Sequence, residues 1–185
     1  MDLTKIPEFE EFPKIARLSR DIVITEKIDG TNGCVLVTEN GDVIAGSRTR
    51  WITPEDDNHG FAKWVSEHAD ELRIGLGVGR HFGEWWGQGI QRGYGQDHKR
   101  FSLFNTSRWL FPNARPECCS CVPVLHRGIF DSQSIQYALE MLVENGSIAA
   151  PGFMRPEGIV IFHTAANICF KKTIEKDEQP KSMEK

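Results

Sequence analysis

The chain has 185 residues, 39% hydrophobic and 26% charged, with a formal net charge of −4. This is an ordinary globular composition with length enough for one domain, and its acidic balance excludes the broad basic field of a general nucleic-acid binder, leaving only a local basic patch for that role. No apolar stretch approaches the ~18 residues of a membrane span and the first residues lack the apolar centre of a signal peptide, so the five cysteines read as reduced thiols of a cytoplasmic protein.

Residues 1–20 mix Pro7, Pro13, Phe9 and Phe12 with charges and read as an irregular arm that packs its aromatics on the domain. Asp21–Lys27 and Gly33–Glu39 are predicted strands, and the segment between them reads as a tight Asp-Gly turn. Asn40-Gly41 is a two-residue hairpin signal, with Asp42–Ser47 as the returning strand. Residues 48–58 are charged and read as a loop. Phe61, Trp64, Val65, His68 and Leu72 recur at helical spacing, which predicts a helix over 59–72. Gly75-x-Gly77-x-Gly79 breaks the chain there and lacks the spacing of a dinucleotide fingerprint.

Further on, 80–86 reads as a strand, the glycine-rich 87–95 as a flexible loop and 101–109 as a strand. A loop over 113–120 leads to a short strand at 121–126. Ser132–Asn145 carries one apolar stripe, with Asp131 or Ser132 to cap it and Gly146 to end it. Two strands, 158–163 and 167–173, close the domain, and 174–185 reads as a loose polar tail with no further C-terminal domain. There is no internal repeat. Many antiparallel strands with helices outside them predict an α+β domain over 1–173.

Thr25-Glu26-Lys27-Ile28-Asp29-Gly30-Thr31-Asn32 places one lysine at a turn between apolar strands. A lysine amine is a poor nucleophile at neutral pH, because a reference pKa of ~10.4 leaves roughly 0.04% of it unprotonated; nearby cations and burial are what activate it. Five other segments supply fitting chemistry. Gly46-Ser47-Arg48-Thr49-Arg50 ends a strand in arginines, and Phe82-Gly83-Glu84-Trp85-Trp86 sets a carboxylate in an apolar strand. Phe101-Ser102-Leu103-Phe104-Asn105 sets aromatics along a strand, Glu157-Gly158-Ile159-Val160 opens a strand with a carboxylate, and Phe170-Lys171-Lys172-Thr173 closes one with two lysines. Each alone has a plain structural reading. Together they describe a nucleoside triphosphate site: Lys171, Lys172 and Arg48 around developing phosphate charge, Glu157 and Glu84 for Mg²⁺, and Phe104 as a flat surface for a purine.

In this order the segments resemble the covalent nucleotidyltransferase superfamily of ligases and mRNA capping enzymes. Glu-Lys-Ile-Asp-Gly-Thr-Asn is most similar to the RNA ligase 2 family found in phages, and the likeness runs from about Pro13 to Thr173. The resemblance implies antiparallel sheets forming a nucleotide cleft with flanking helices, the adenylyltransferase or ATP-grasp-like architecture. It implies that Lys27 attacks the α-phosphate of ATP, with Mg²⁺ or Mn²⁺, and passes AMP to an RNA end or nick that is then sealed. Glu26 would contact adenine through its backbone. Arg48 and Glu84 would hold the ribose, Phe104 would stack on the base, and Asn32 fills a polar position these ligases need. Glu157 would serve the metal or the amine, and Lys171 or Lys172 the α-phosphate. The family's last motif usually spaces its lysines by one residue; here they are adjacent, with Thr173 in the second place, so either lysine remains open. Asn105 stands where many relatives have aspartate. Relatives usually carry a second domain, so a minimal ligase or one aided by an accessory protein is expected, in a host cytoplasm if phage-encoded. The alternatives are a DNA ligase-like or GTP-using capping-type enzyme, or a non-catalytic nucleotide-binding protein.

Two weaker signals remain. Cys118, Cys119, Cys121 and His126 are too cramped for paired zinc knuckles and read as loop thiols. Arg92, His98, Lys99, Arg100 and Arg108, near Trp85, Trp86 and Tyr94, are candidates to line a nucleic-acid groove.

Overall fold

The computed structural model describes residues 7–175 and 177. Ten strands form two sheets, and four α-helices flank them. The first sheet has the order β10-β9-β1-β8, built from β1 (Asp21–Lys27), β8 (Val124–Ile129), β9 (Gly158–His163) and β10 (Ile168–Thr173), all antiparallel. The second has the order β4-β3-β2-β5-β6-β7, from β2 (Thr31–Val37), β3 (Val43–Gly46), β4 (Trp51–Ile52), β5 (Gly79–Gly87), β6 (Lys99–Leu103) and β7 (Cys119–Cys121). Only its last pair, β6 with β7, is parallel.

Each sheet buries one face under helices, as the period of two requires. Helices α1 (Phe61–Glu67) and α2 (Ala69–Leu76) cover the six-stranded sheet: Phe61, Val65, Leu72 and Leu76 meet Val35, Val37, Trp85, Phe101 and Leu103. Helix α4 (Ser132–Asn145) covers the four-stranded sheet, setting Ala138, Leu139 and Leu142 against Ile22, Ile24, Ile159 and Ile161. A third cluster, Ile28, Trp86, Tyr94, Val122 and Ala150, fills the junction between the sheets. Helix α4 has the predicted bounds, with Ile135, Ala138, Leu139 and Leu142 of its stripe packed inward while Val143, expected beside them, is exposed, and Asp131 caps it by accepting from the Ser134 N–H at 2.7 Å.

Several expectations are corrected. The Asp-Gly segment is not a hairpin turn. β1 pairs with β8 and β9 and β2 with β3 and β5, so Ile28-Asp29-Gly30 carries the chain from one sheet into the other. The expected helix over 59–72 is two helices that meet at His68, whose φ of −109° and ψ of 16° leave the helical region. The expected strand over 101–109 ends at Leu103, and Asn105 caps a single turn, α3 (Thr106–Trp109). The expected strand over 121–126 is split at Pro123, which has no N–H for a ladder, so β7 joins one sheet and β8 the other. Two residues of the expected loop over 48–58 form β4. The arm does not pack its aromatics: Phe9 is 89% exposed and Phe12 76%. Residues 1–6 and most of the expected tail lie outside the described residues, but packing continues past 173, because Ile174 lies against the α4 core and its N–H donates to the Glu157 carbonyl at 2.9 Å.

The crossover fits tightly. A Cβ at Gly30 would stand 2.4 Å from the Trp85 carbonyl oxygen and 2.8 Å from the Trp86 Cβ. Gly30→Ala is therefore expected to lower the unfolding free energy by about 1–3 kcal/mol through overpacking, measured by urea denaturation; an unchanged midpoint would show that the crossover has slack.

Candidate active site

The site forms where β1 ends, and residue parity assigns its parts. Ile22, Ile24 and Glu26 share the face of β1 that packs on α4, whereas Lys27 and Thr25 face the other way. The Lys27 ammonium donates to Glu157 Oε2 at 2.5 Å. Glu157 is 3% exposed and stands in the residue before β9, opposite the end of β1 where Lys27 pairs with Gly158. A buried carboxylate needs a cation or several donors to stay ionised, and Lys27 is that cation.

Glu84 lies across the crossover on β5. Its carboxylate accepts from the Gly30 N–H at 3.1 Å and from the Asn32 amide at 3.0 Å. Burial pushes its pKa up to about 7; Lys27, Gly30 and Asn32 pull it down, and Glu157 adds to the rise. Glu26 is a different case. Its side chain is buried on the α4 side, where it accepts from the Ser147 hydroxyl at 2.5 Å and from the N–H groups of Ile148 and Ala149 at 2.8 and 2.9 Å. Burial still raises its pKa above the usual range. Its backbone N–H donates to Pro123 O.

The two lysines of β10 separate by the same parity. Lys172 pairs with Ile159, a core residue under α4, and its ammonium donates to Asp177 at 3.2 Å. Lys171 pairs with Val160, and Thr173 with Gly158, so these two share the face of Lys27. Phe104 stands just past β6, its N–H bonded to Phe82 O, and its ring is 40% exposed while Phe101 is fully buried. Arg48 is exposed in the turn between β3 and β4, with no side-chain hydrogen bond or ion pair among the described residues.

The five residues expected to line a nucleic-acid groove have protein partners: Arg108 Nη2 donates to Leu76 O at 2.6 Å, and His98 meets Asp97 at 2.5 Å. Arg92 Nε donates to Asp29 Oδ2 at 3.1 Å and its Nη1 to Arg155 O at 2.9 Å. Lys99 donates to His59 O at 2.7 Å, and Arg100 donates to His98 and lies over the Trp86 ring. The glycine-rich loop over 87–95 is not loose: Ile90 and Tyr94 are fully buried. Among the described residues no group of three or more His, Cys, Asp or Glu is arranged to hold a metal, and the cysteines are free thiols. A cation held by one carboxylate and a nucleotide's own phosphates needs no such group, and Glu157 fits that role. Glu84, with both oxygens already bonded to N–H donors, fits it less well. Sequence reasoning missed Ser147, which carries no sequence signal, and it placed Tyr94 in the nucleic-acid groove and Asp29 in a turn rather than in the hydrogen bond they share.

Two sheets joined at a lysine-bearing crossover, with buried carboxylates on both sides, make this a ligase-type nucleotidyltransferase domain. The chain belongs to the RNA ligase family, whose profile matches residues 20–176. Solved structures agree on the fold. A mutant Naegleria gruberi RNA ligase with AMP and Mn superposes with a TM-score of 0.62 at 16% identity, covering 90% of this chain and 56% of that one. An apo mutant of the same enzyme gives 0.60 at 17% identity, with 91% and 57% coverage, and a mutant with ATP and Mn gives 0.59 at 16%, with 85% and 51%. The chain thus spans little more than half the length of these proteins. No curated protein sequence matches it, and no helix among the described residues is long and apolar enough to cross a membrane.

Glu84 makes the stability of this site depend on pH. A carboxyl whose pKa in the fold lies above its ordinary value of 4.5 stabilises the fold below that value, and the contribution is lost as pH rises through about 7. Glu84→Gln removes the titration, and Asn32 can flip its amide to suit the new side chain. The variant is expected to gain on the wild type by up to about 3 kcal/mol between pH 4.5 and 8. Urea unfolding across that range is the measurement; a pH-independent difference would show Glu84 ionised throughout.

Proposed function

We propose that this chain is the adenylyltransferase domain of an ATP-dependent RNA ligase and that Lys27 carries AMP between the nucleotide and an RNA 5′-phosphate. The observation that carries the reading is the Lys27–Glu157 contact at the crossover, with Glu84 fixed beside it by Gly30 and Asn32. Lys27 Nζ, after losing a proton, attacks the α-phosphorus. A P–N bond forms, the bond to the β-phosphate oxygen breaks and pyrophosphate leaves. The RNA 5′-phosphate then takes AMP, restoring the amine. A 3′-hydroxyl finally displaces AMP to make the phosphodiester.

The residues divide the work by position. Glu157 holds the amine before attack and, with a divalent cation bound, supplies its carboxylate; that cation would offset charge on the phosphates. Lys171, on the face of Lys27, serves the α-phosphate. Phe104 offers an open ring to the adenine and Arg48 a free guanidinium to the ribose, with Glu84. Glu26 can meet the base only through its backbone, because its carboxylate is committed to Ser147 and the residues after it. The family and the Naegleria gruberi complexes with ATP and Mn support ATP and a divalent metal as the cofactors. A cytoplasmic setting follows from this substrate and from five free cysteines.

With α-labelled ATP and Mg²⁺ the protein is expected to take covalent label, and Lys27→Ala to take none. Lys171→Ala should lower labelling by about 10²-fold, while Lys172→Ala, which alters the α4 side, should stay within about threefold. Unlabelled wild-type protein, with pyrophosphatase present, would remove the catalytic reading. Equal losses in the two lysine variants would remove the assignment by face.

A further inference from the structure

One arginine bridges the two segments that bring the amine and its carboxylate together. Arg92 sits in the compact loop after β5. Ile90 and Tyr94 anchor that loop in the core, and Gln91 and Tyr94 take φ values of 47° and 51°, where side-chain-bearing residues seldom go. Such conformations persist only where the surroundings impose them, and they concentrate at functional sites. The loop aims the guanidinium between two chain segments. Nε donates to Asp29 Oδ2 at 3.1 Å, two residues after Lys27. Nη1 donates to Arg155 O at 2.9 Å and Pro156 O at 3.4 Å, just before Glu157. Tyr94, from the same loop, accepts the Asp29 backbone N–H at 3.0 Å, so the crossover is held through both side chain and main chain. The planar fork of arginine can reach a carboxylate and two carbonyls at once; a lysine ammonium is a single point of charge.

We propose that Arg92 is a positioning residue that sets the distance between Lys27 and Glu157 by clamping Asp29 to the 155–156 backbone. The inference rests on the reading of Lys27 as the nucleophile. It replaces the nucleic-acid role the sequence suggested for Arg92, because the guanidinium is already spent on Asp29 and two carbonyls, with Glu175 also 3.9 Å from Nη2. Ladder pairing of Lys27 with Gly158 brings the segments near each other. Arg92 then fixes the side-chain geometry at their ends, where sheet pairing stops.

The test compares Arg92→Ala, Arg92→Lys and Asp29→Asn in the full chain, with thermal melting to confirm folding. The first readout is trace acetylation by acetic anhydride, followed by peptide mass spectrometry with Lys171 as internal reference. Release from Glu157 should make Lys27 react about fivefold faster in Arg92→Ala, and no faster when Asp29→Asn is added, since the two act as one unit. This readout needs no ATP turnover, so it decides the inference even if the wild type takes no label. The second readout is lysyl-adenylate formation: kcat should fall about tenfold or more with KM for ATP within about twofold, and Arg92→Lys should recover only part. An unchanged acetylation ratio, or a raised KM with normal kcat, would overturn the proposal. So would normal Lys27 readouts with a loss confined to transfer onto RNA, which would put Arg92 on the nucleic acid. If Arg92→Ala does not fold, Asp29→Asn alone carries both readouts with the same expected directions.

Discussion

Burial of Glu157 beside Lys27 is the constraint around which the site is arranged. A carboxylate at 3% exposure needs a cation or several donors beside it, and removing one partner of a buried pair strands the other at a cost of about 3–5 kcal/mol. The contact therefore holds the end of β1 to the start of β9 as firmly as it orients the amine. Its supports come from both sheets. Ile174 fixes the Glu157 carbonyl, Arg92 fixes the chain just before it, and the junction cluster around Ile28 keeps the crossover from moving. Arg127 adds a further tie, donating from β8 to Thr106 at the start of α3.

The alternation of side chains along a strand then sorts chemistry from structure. Glu26 and Lys27 are neighbours in sequence but serve opposite faces of one sheet. The acid caps the turn after α4 from below, and the lysine opens toward the six-stranded sheet. Lys171 and Lys172 divide in the same way. A one-residue slip of β1 would put Glu26 or Ile28 where Lys27 stands, so the apolar packing of Ile22, Ile24, Ile159 and Ile161 under α4 is what keeps the site in register. Placement of the proposed catalytic side chains and packing of the core are here the same constraint.

This explains what could be read from the chain alone. Lys27 and Glu84 stand in apolar strands and Glu157 just before one, in an order that carries a family pattern, and α4 announces itself by stripe and cap. Other features depend on contacts far apart in sequence. Arg92 and Asp29 are 63 positions apart, and nothing local tells a basic loop residue that its partner is an acid rather than a phosphate. The Asp-Gly segment has the chemistry of a tight turn, and only the pairing of β1 and β2 with other strands makes it a crossover. That Lys171 and Lys172 lie on opposite faces needed the register of β10, which spacing alone leaves open. Pro123 was a legible signal overlooked: a residue without an N–H inside a proposed strand argues against that strand. The arm over 7–20 shows that aromatic residues near a terminus need not pack.

The acids of the site also differ in how their charge is held, and the difference suits the proposed chemistry. Glu26 has three neutral donors on the α4 side of its sheet, so it serves the fold. Glu157 has a full cation. Glu84 lies between: burial drives its pKa to about 7, and Lys27 is the foremost of the groups opposing that rise. The charge at Lys27 therefore acts directly on how readily Glu84 holds its proton, and the acids on the two sides of the crossover are linked through one amine.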